Sequence, residues 1–208
     1  MTILLIRHGE TALNVARVLQ PADTPLSERG IAQADALAAR LATMHVRAIL
    51  SSDLPRALRT AQAIAAATGA PIEITPLLQE RNFGDWRGRP YDGLAPDLLT
   101  MAQAPPNGES AAVFAQRASQ AFALALQRRE SFGDDDTGTL AVVTHGLLIR
   151  AILTSQVRLA DNVPAPAHLG NTGLNIVDAQ PPHLVSLLNC TQHLDRSAAD
   201  DAQALSGG

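Results

Sequence analysis

Ile3-Leu4-Leu5-Ile6-Arg7-His8-Gly9 is an unbroken apolar run that stops at a cation, a histidine and a glycine. An apolar run without polar alternation predicts a strand over Thr2 to Ile6 that is covered on both faces. The same form returns at Leu140-Ala141-Val142-Val143-Thr144-His145-Gly146 and predicts a second buried strand over Leu140 to Thr144. If the two strands are parallel, His8 and His145 stand on one edge of the sheet. That is the edge where open α/β sheets bind ligands. The glycine after each histidine lets backbone come close to a ligand.

Helices and shorter strands fill the sequence between and after these two runs. Ile31, Ala34, Leu37, Ala38 and Leu41 fall on one stripe and predict a helix over Ala32 to Leu41. Arg47 to Leu50 reads as a strand ended by Ser51-Ser52-Asp53. Pro55 then opens a helix through about Ala67, with Ser52 or Asp53 as its cap and Gly69 as its stop. Pro71 to Thr75 is a short strand. Glu109 to Arg129 is a helix with Phe114, Ala118, Ala121 and Ala125 along one face, and Gly146 to Val157 is another. Leu174 to Val177 and Leu184 to Leu188 are late strands around a Gln180-Pro181-Pro182 turn. Between Leu78 and Asp97, Gly84, Gly88, Pro90, Gly93 and Pro96 break every regular period. Irregular stretches of that length in compact domains are often functional. Strands alternating with helices predict an α/β fold, a three-layer α/β/α sandwich with a mostly parallel central sheet. One domain is expected over residues 1–194, followed by a frayed polar tail over 195–208.

Composition removes several kinds of chemistry. The chain has 208 residues, 46% of them apolar, and a formal charge of −4 with no long run of one sign. The clustered basic surface that a nucleic acid needs is absent. All 16 cationic residues are arginine, which excludes the lysine of a phosphate-loop NTPase and the amine of a Schiff-base enzyme. Arginine suits a bidentate grip on phosphate or carboxylate. Cys190 is the single cysteine, so neither an internal disulfide nor a cysteine-rich zinc site is expected. The acidic turn Gly133 to Gly138 lacks the ligand spacing of a calcium loop. No metal and no cofactor are expected. No apolar run has the length to cross a bilayer, and the first apolar residues are too few for a signal segment, so a cytoplasmic protein is expected.

A third element converges on the His8 and His145 edge. Arg56 falls in the first turn of the helix opened by Pro55, where a cation opposes the helix dipole unless an anion compensates. With that element the sequence resembles the histidine phosphatase superfamily, also called the phosphoglycerate mutase family. Arg7-His8-Gly9-Glu10-Thr11 with Asn14 is similar to its first signature, and Asp23-Thr24-Pro25-Leu26-Ser27-Glu28-Arg29-Gly30 to the next stretch. Ser51 to Ala61 resembles its arginine helix, and Glu80-Arg81-Asn82-Phe83-Gly84-Asp85-Trp86-Arg87-Gly88 its acid-bearing segment. Gly108-Glu109-Ser110, Thr144-His145-Gly146 and Asn171-Thr172 follow in order, so that the resemblance spans roughly residues 2 to 190.

The resemblance implies a phosphoglycerate mutase-like fold and a set of roles. His8 accepts the phosphoryl group. Arg7, Arg56 and His145 surround it, Asn14 and the backbone of Gly146 add contacts, and Glu80 protonates the leaving oxygen. The residue types suit that chemistry. A neutral imidazole is a nucleophile near cell pH. Guanidinium groups stabilise the equatorial oxygens. An alkoxide leaves poorly without an acid, which requires Glu80 to have a raised pKa. Gln20 and Thr24 are candidate substrate contacts. Glu109 is an alternative proton donor, but in its Gly-Glu-Ser context Ser110 is expected to start the helix and Glu109 to present a cleft-facing hydrogen bond. Glu10 has either a ring-orienting or a capping role. Trp86 and Phe83 are expected to pack, and His45, His168, His183 and His193 to be structural or on the surface.

The chain departs from the family pattern in places. Pro21 follows Gln20 where the family often has glycine, which removes a backbone donor. Arg87 and Arg89 replace acidic or neutral residues and either extend a positive field over the cleft or lie on the surface. Mutases of the family resemble longer chains with an added segment over the site. The short stretch from Tyr91 to Gly108 points instead to hydrolysis of a small phosphorylated metabolite, by a monomer or homodimer without nucleic-acid or membrane partners. A mutase, and a non-catalytic binder of a phosphorylated ligand on the same fold, are the alternatives.

Overall fold

The first apolar run forms β1 (Thr2–Arg7), whose side chains alternate between two separate cores. Ile3 and Leu5 enter one core with Leu140 and Val142, while Leu4 and Ile6 enter the other with Ala141 and Val143. Burial of each such side chain contributes about 1.5–3 kcal/mol, and neither face of this strand has room for a polar residue. The structure is a computed structural model and describes residues 1–91, 101, 103–133, 137–159, 161 and 168–194.

Among the described residues, seven strands form one sheet. After β1 come β2 (Val46–Ser51), β3 (Ile72–Ile74), β4 (Thr139–Thr144), β5 (Arg158–Leu159), β6 (Leu174–Asp178) and β7 (Leu184–Cys190). Their order is β3-β2-β4-β1-β6-β7-β5. β4 lies between β2 and β1 and is parallel to both, with Arg7 opposite Thr144 and Ser51 opposite Val143. The carboxyl ends of three adjacent strands therefore coincide. β6 is antiparallel to both its neighbours and is the one strand that runs against the rest.

Helices α2 (Glu28–Leu41) and α3 (Pro55–Thr68) cover the Leu4 and Ile6 face. Helices α4 (Ala111–Glu130) and α5 (Gly146–Ser155) cover the Ile3 and Leu5 face. The three-layer α/β/α sandwich with a mostly parallel sheet is thus the observed fold. A short α1 (Ala12–Val15) follows β1, its start closed by a capping box between Thr11 and Asn14. Among the described residues, no helix is long and apolar enough to cross a membrane.

Several boundaries differ from expectation for identifiable reasons. α2 starts at Glu28 because the Ser27 hydroxyl caps it, accepting from Gly30 N–H at 3.0 Å. α3 uses neither Ser52 nor Asp53 as its cap. Its flanking residue is Leu54, which makes no side-chain cap bond, and Asp53 accepts two bonds from the Gln79 amide instead. Gly69 ends α3 as expected, in the left-handed conformation at φ 71°. Ser110 starts α4 as expected, accepting from Val113 N–H at 3.2 Å, so the helix proper begins at Ala111. α5 stops at Ser155, so Arg158 and Leu159 form the edge strand β5, which is too short to show a period in sequence. The expected irregular stretch holds two 3₁₀ turns, Pro76–Leu78 and Gly84–Trp86. Its part beyond Tyr91, the acidic turn at 134–136 and the tail at 195–208 lie outside the described residues.

Candidate active site

His8 is the first residue past β1, and its backbone is bonded from three directions. Its N–H donates to Thr144 O at 2.9 Å, which extends the β1–β4 ladder by one residue. Its carbonyl accepts from the Asn171 side-chain amide at 2.9 Å and from Thr172 N–H at 3.3 Å. Gly9 N–H then donates to the Thr60 hydroxyl on α3 at 3.1 Å. The turn is close-packed from above as well. A Cβ on Gly9 would strike the carbonyl of Gly30, and one on Gly30 would strike the carbonyl of Glu10. These two glycines let the first turn of α2 lie directly on the His-Gly-Glu loop.

Ring chemistry follows from this placement. Nδ1 of His8 lies 2.6 Å from the carbonyl of Gly9. A carbonyl only accepts, so Nδ1 carries the proton and Nε2 carries the lone pair. Nε2 is buried and has no hydrogen-bond partner. Burial first, and then the charges of Arg56 and Arg7, push the imidazole pKa well below its usual range, against a smaller upward pull from Gly9. A neutral ring with an unengaged, fixed lone pair is a poised nucleophile.

His145 occupies the matching position past β4. Its ring centroid is 5.1 Å from that of His8, with the planes at 60°. Ser52, at the end of β2, accepts from Leu54 N–H at 3.2 Å and lies 3.0 Å from His145 Nε2. When that hydroxyl donates to Nε2, the His145 proton stays on Nδ1, which is buried and unpartnered. Burial, then Arg56, His8, Arg7 and Arg117, lower the His145 pKa well below its usual range. The Ser52 contact had no sequence signal beyond its place at a strand end.

Two guanidinium groups and an amide complete the cradle. Arg7 Nη1 donates to Leu169 O at 2.6 Å. Arg56 Nη1 donates to the carbonyls of Pro21 and Ala22 at 3.3 and 3.5 Å. Pro21, which lacks a backbone donor, thus contributes an acceptor that orients a cation. Asn14 Oδ1 accepts from Thr11 N–H, the Thr11 hydroxyl and the Asn171 amide, which leaves the Asn14 NH₂ for a ligand. At the start of α5, the N–H of Gly146 has no acceptor within the helix. Arg7, His8, Asn14, Arg56, Glu80 and His145 are each 5% exposed or less.

Glu80 faces this cradle from the irregular stretch. Its Oε1 accepts from Arg81 N–H at 2.9 Å and its Oε2 from Leu147 N–H at 3.0 Å. Burial raises its pKa and outweighs the two N–H donors and the charges of Arg56 and Arg7, all of which lower it. A carboxyl whose pKa is raised toward the acid form, facing a histidine whose pKa is lowered toward the neutral form, is the pairing an acid-assisted displacement needs.

The remaining candidates take other places. Glu109 does not present its carboxylate to the cleft. Arg117 grips it through Nε at 2.8 Å and Nη2 at 2.7 Å, and Asn82 N–H donates to it at 2.9 Å. Burial raises the Glu109 pKa, but these donors outweigh it and the net shift is downward, so the carboxylate stays ionised. Arg117 also donates to the carbonyls of Leu77, Gln79 and Glu80 at 2.9, 2.7 and 3.1 Å. The pair is therefore the brace of the Glu80 loop. Thr24 closes a turn by donating to Pro21 O at 2.9 Å, and Gln20 accepts from the Thr11 hydroxyl at 3.0 Å. Glu10 turns away to Ser27 at 3.0 Å and Arg29 at 3.5 Å, which ties α2 to the loop. Phe83 and Trp86 pack against the core as expected. His193 connects Arg40 at 3.4 Å to the Thr172 hydroxyl at 3.0 Å, a contact behind the His8 carbonyl.

One expectation follows directly from the brace. The Glu109 and Arg117 side chains are 15% and 16% exposed, and Arg117→Ala strands both the carboxylate and three carbonyls. We expect a loss of about 2–4 kcal/mol in urea unfolding, together with reduced turnover as Glu80 loses its fixed position. Arg117→Lys will recover only part of either, because an ammonium lacks the planar fork.

The chain is similar to known proteins over nearly its whole length. The histidine phosphatase superfamily (branch 1) matches residues 3–190. A Yersinia pestis (strain Pestoides F) protein described as "Probable phosphoglycerate mutase GpmB" is 33% identical over 98% of this chain and 99% of that one. The structure of a mycobacterial glucosyl-3-phosphoglycerate phosphatase complexed with VO3 is 32% identical, with a TM-score of 0.73 over 85% of this chain and 90% of that one. A phosphoserine phosphatase from Entamoeba histolytica, solved as a mutant with phosphoserine, is 27% identical, with a TM-score of 0.76 over 93% of this chain and 99% of that one.

Proposed function

For a chain that belongs to the histidine phosphatase superfamily, we propose hydrolysis of a small phosphomonoester through a phosphohistidine at His8. The observation that carries this reading is the buried, unpartnered Nε2 of a neutral His8, set among Arg7, Arg56 and His145. The phosphate enters with its non-bridging oxygens toward the two guanidinium groups, the Asn14 NH₂, the His145 Nδ1–H and the Gly146 N–H. Nε2 attacks phosphorus in line with the ester oxygen. As the P–O bond breaks, Glu80 gives its proton to the leaving alkoxide, and the alcohol departs. Glu80 is now a carboxylate and takes a proton from a water. The resulting hydroxide attacks the phosphohistidine, breaks the P–N bond and restores neutral His8. In this route the guanidinium groups and the oriented N–H donors supply the positive charge that the transition state needs, and no metal takes part.

Hydrolysis is favoured over transfer between sugar-acid hydroxyls by the two solved relatives above, both of which are described as phosphatases. The relative described as a probable mutase favours the second reading. Chain length does not separate the two, because that relative is matched over 99% of its own length. A panel of phosphorylated sugars, glycerates, amino acids and nucleotides, assayed for free phosphate and for phosphoglycerate interconversion, tests the choice. The proposal expects release of phosphate from at least one ester to exceed interconversion by more than about tenfold. Interconversion far above any hydrolysis would establish the mutase reading instead.

A further inference from the structure

Gln33 is fully buried in a stretch of α2 whose other buried residues are Gly30, Ala34, Leu37, Ala38 and Leu41. A primary amide is costly to bury among apolar groups unless it is bonded. Its Oε1 accepts from Glu10 N–H at 2.8 Å. Gly30 makes that reach possible. It lies one turn before Gln33 on the same face of the helix, and a Cβ there would strike both the carbonyl and the nitrogen of Glu10. Without one, the helix backbone settles on the nucleophile turn and brings Gln33 to it.

Three successive peptide units of that turn have different partners. In the unit joining His8 to Gly9, the carbonyl accepts from Asn171 and Thr172 and the N–H donates to Thr60. In the unit joining Glu10 to Thr11, the carbonyl accepts from Ser27 N–H at 2.9 Å and the N–H donates to Asn14 Oδ1 at 3.1 Å. The middle unit, Gly9 to Glu10, has Gln33 on its N–H at 2.8 Å and His8 Nδ1 on its carbonyl at 2.6 Å. These two bonds lie at opposite ends of one rigid plane. The Gln33 oxygen therefore orients the carbonyl that keeps the His8 proton on Nδ1. Accepting from the N–H also polarises the unit and strengthens its carbonyl as an acceptor. If the plane turns, Nδ1 loses its acceptor and the proton is free to move to Nε2, where it blocks the lone pair.

We propose that Gln33 is a positioning residue for the nucleophile, acting through the Gly9–Glu10 peptide to fix the His8 tautomer that leaves Nε2 free to attack. The proposal rests on the phosphohistidine reading above and names a residue on which that step depends.

Gln33→Met keeps most of the volume and removes the acceptor. Nitrogen-15 spectra of histidine-labelled protein read the tautomer directly, with the His8 signals assigned by their loss in His8→Asn. The wild type is expected to carry the proton on Nδ1, and Gln33→Met to show a mixture with the Nε2–H form. Its kcat/KM on alkyl phosphates should fall about tenfold to a hundredfold, the scale of a misplaced reacting group. Inorganic phosphate should bind at least as tightly as to the wild type, because an Nε2–H donates to it. Gln33→Glu, which keeps an oxygen on Glu10 N–H, should keep the Nδ1–H tautomer. Ser27→Ala removes the α2 cap and leaves the middle unit intact, so its thermal midpoint should drop with the tautomer and kcat/KM unchanged. An unmoved tautomer in Gln33→Met, or a kcat/KM loss that matches an equal loss of phosphate affinity, overturns the proposal. If Gln33→Met does not fold, scalar coupling across the bond from the Glu10 nitrogen to the Gln33 amide carbon decides in the wild type, and its absence overturns the relay. The tautomer and phosphate binding are read without turnover. A shifted tautomer in a protein that hydrolyses no ester sinks the hydrolase reading alone, and hydrolysis with an unmoved tautomer sinks the positioning role alone.

Discussion

Replacing His8 with alanine will lower kcat/KM on every phosphomonoester by at least about ten-thousand-fold, with the fold retained. The size follows from removing a nucleophile, since what remains is attack by water in a charged pocket. Alanine leaves Arg7, Arg56 and His145 in place, so phosphate still binds. It also removes Nε2, the buried and unpartnered atom proposed to accept the phosphoryl group. The backbone bonds that hold this turn, from Thr144, Asn171 and Thr60, do not use the imidazole. His8→Asn keeps more of the volume and is expected to show the same kinetic loss with a smaller stability change. Steady-state kinetics with near-UV circular dichroism separate the two effects. A His8→Ala protein that retained a tenth of wild-type turnover would show that the nucleophile is elsewhere.

Glu80→Gln has the second largest expected effect, and its signature is a dependence on leaving group. On alkyl phosphates the amide cannot give a proton to the alkoxide, and kcat should fall about a hundredfold to ten-thousand-fold. On 4-nitrophenyl phosphate, whose phenolate leaves unaided, the first step should be far less affected. The pH profile fixes the sign. Glu80 has a raised pKa because of burial, so the wild type keeps the acid form to higher pH than an ordinary carboxyl and loses alkyl-ester activity as pH rises through that value. The glutamine variant has no such alkaline limb. Stability is linked in the same direction. The contribution of the protonated Glu80 is complete below the ordinary carboxyl pKa of about 4.3 and is lost as pH rises through the folded value. Glu80→Gln should therefore unfold at higher temperature than the wild type on the alkaline side. Equal losses on both ester classes, with an unchanged alkaline limb, would assign the proton to another group.

What was legible in the sequence is the part that local pattern encodes. Two unbroken apolar runs ending in His-Gly placed β1, β4 and both histidines, because a strand buried on both faces has no polar alternation to blur it. Pro55 and Gly69 marked α3 and put Arg56 in its first turn. The functional contacts that were missed join residues far apart in the chain. Ser52 meets His145 across 93 positions, and Arg117 meets the carbonyl of Glu80 across 37. No periodicity records such pairs. Glu109 illustrates the difference. Its type and neighbourhood suggested a cleft-facing group, but an arginine two turns along α4 captures it, and that decision is made by packing. The antiparallel β6 was equally hidden, since an apolar run of that length reads the same in either direction.

Trapping the intermediate tests the central claim most directly. A single turnover of a labelled phosphomonoester, quenched in alkali to protect a phosphoramidate and mapped by mass spectrometry, should place the phosphoryl group on His8. The amount trapped should rise and then decay at the rate of phosphate release. Phosphate released in the same turnover with His8 never modified, and no label on any other residue, would mean direct attack by water and would contradict the account.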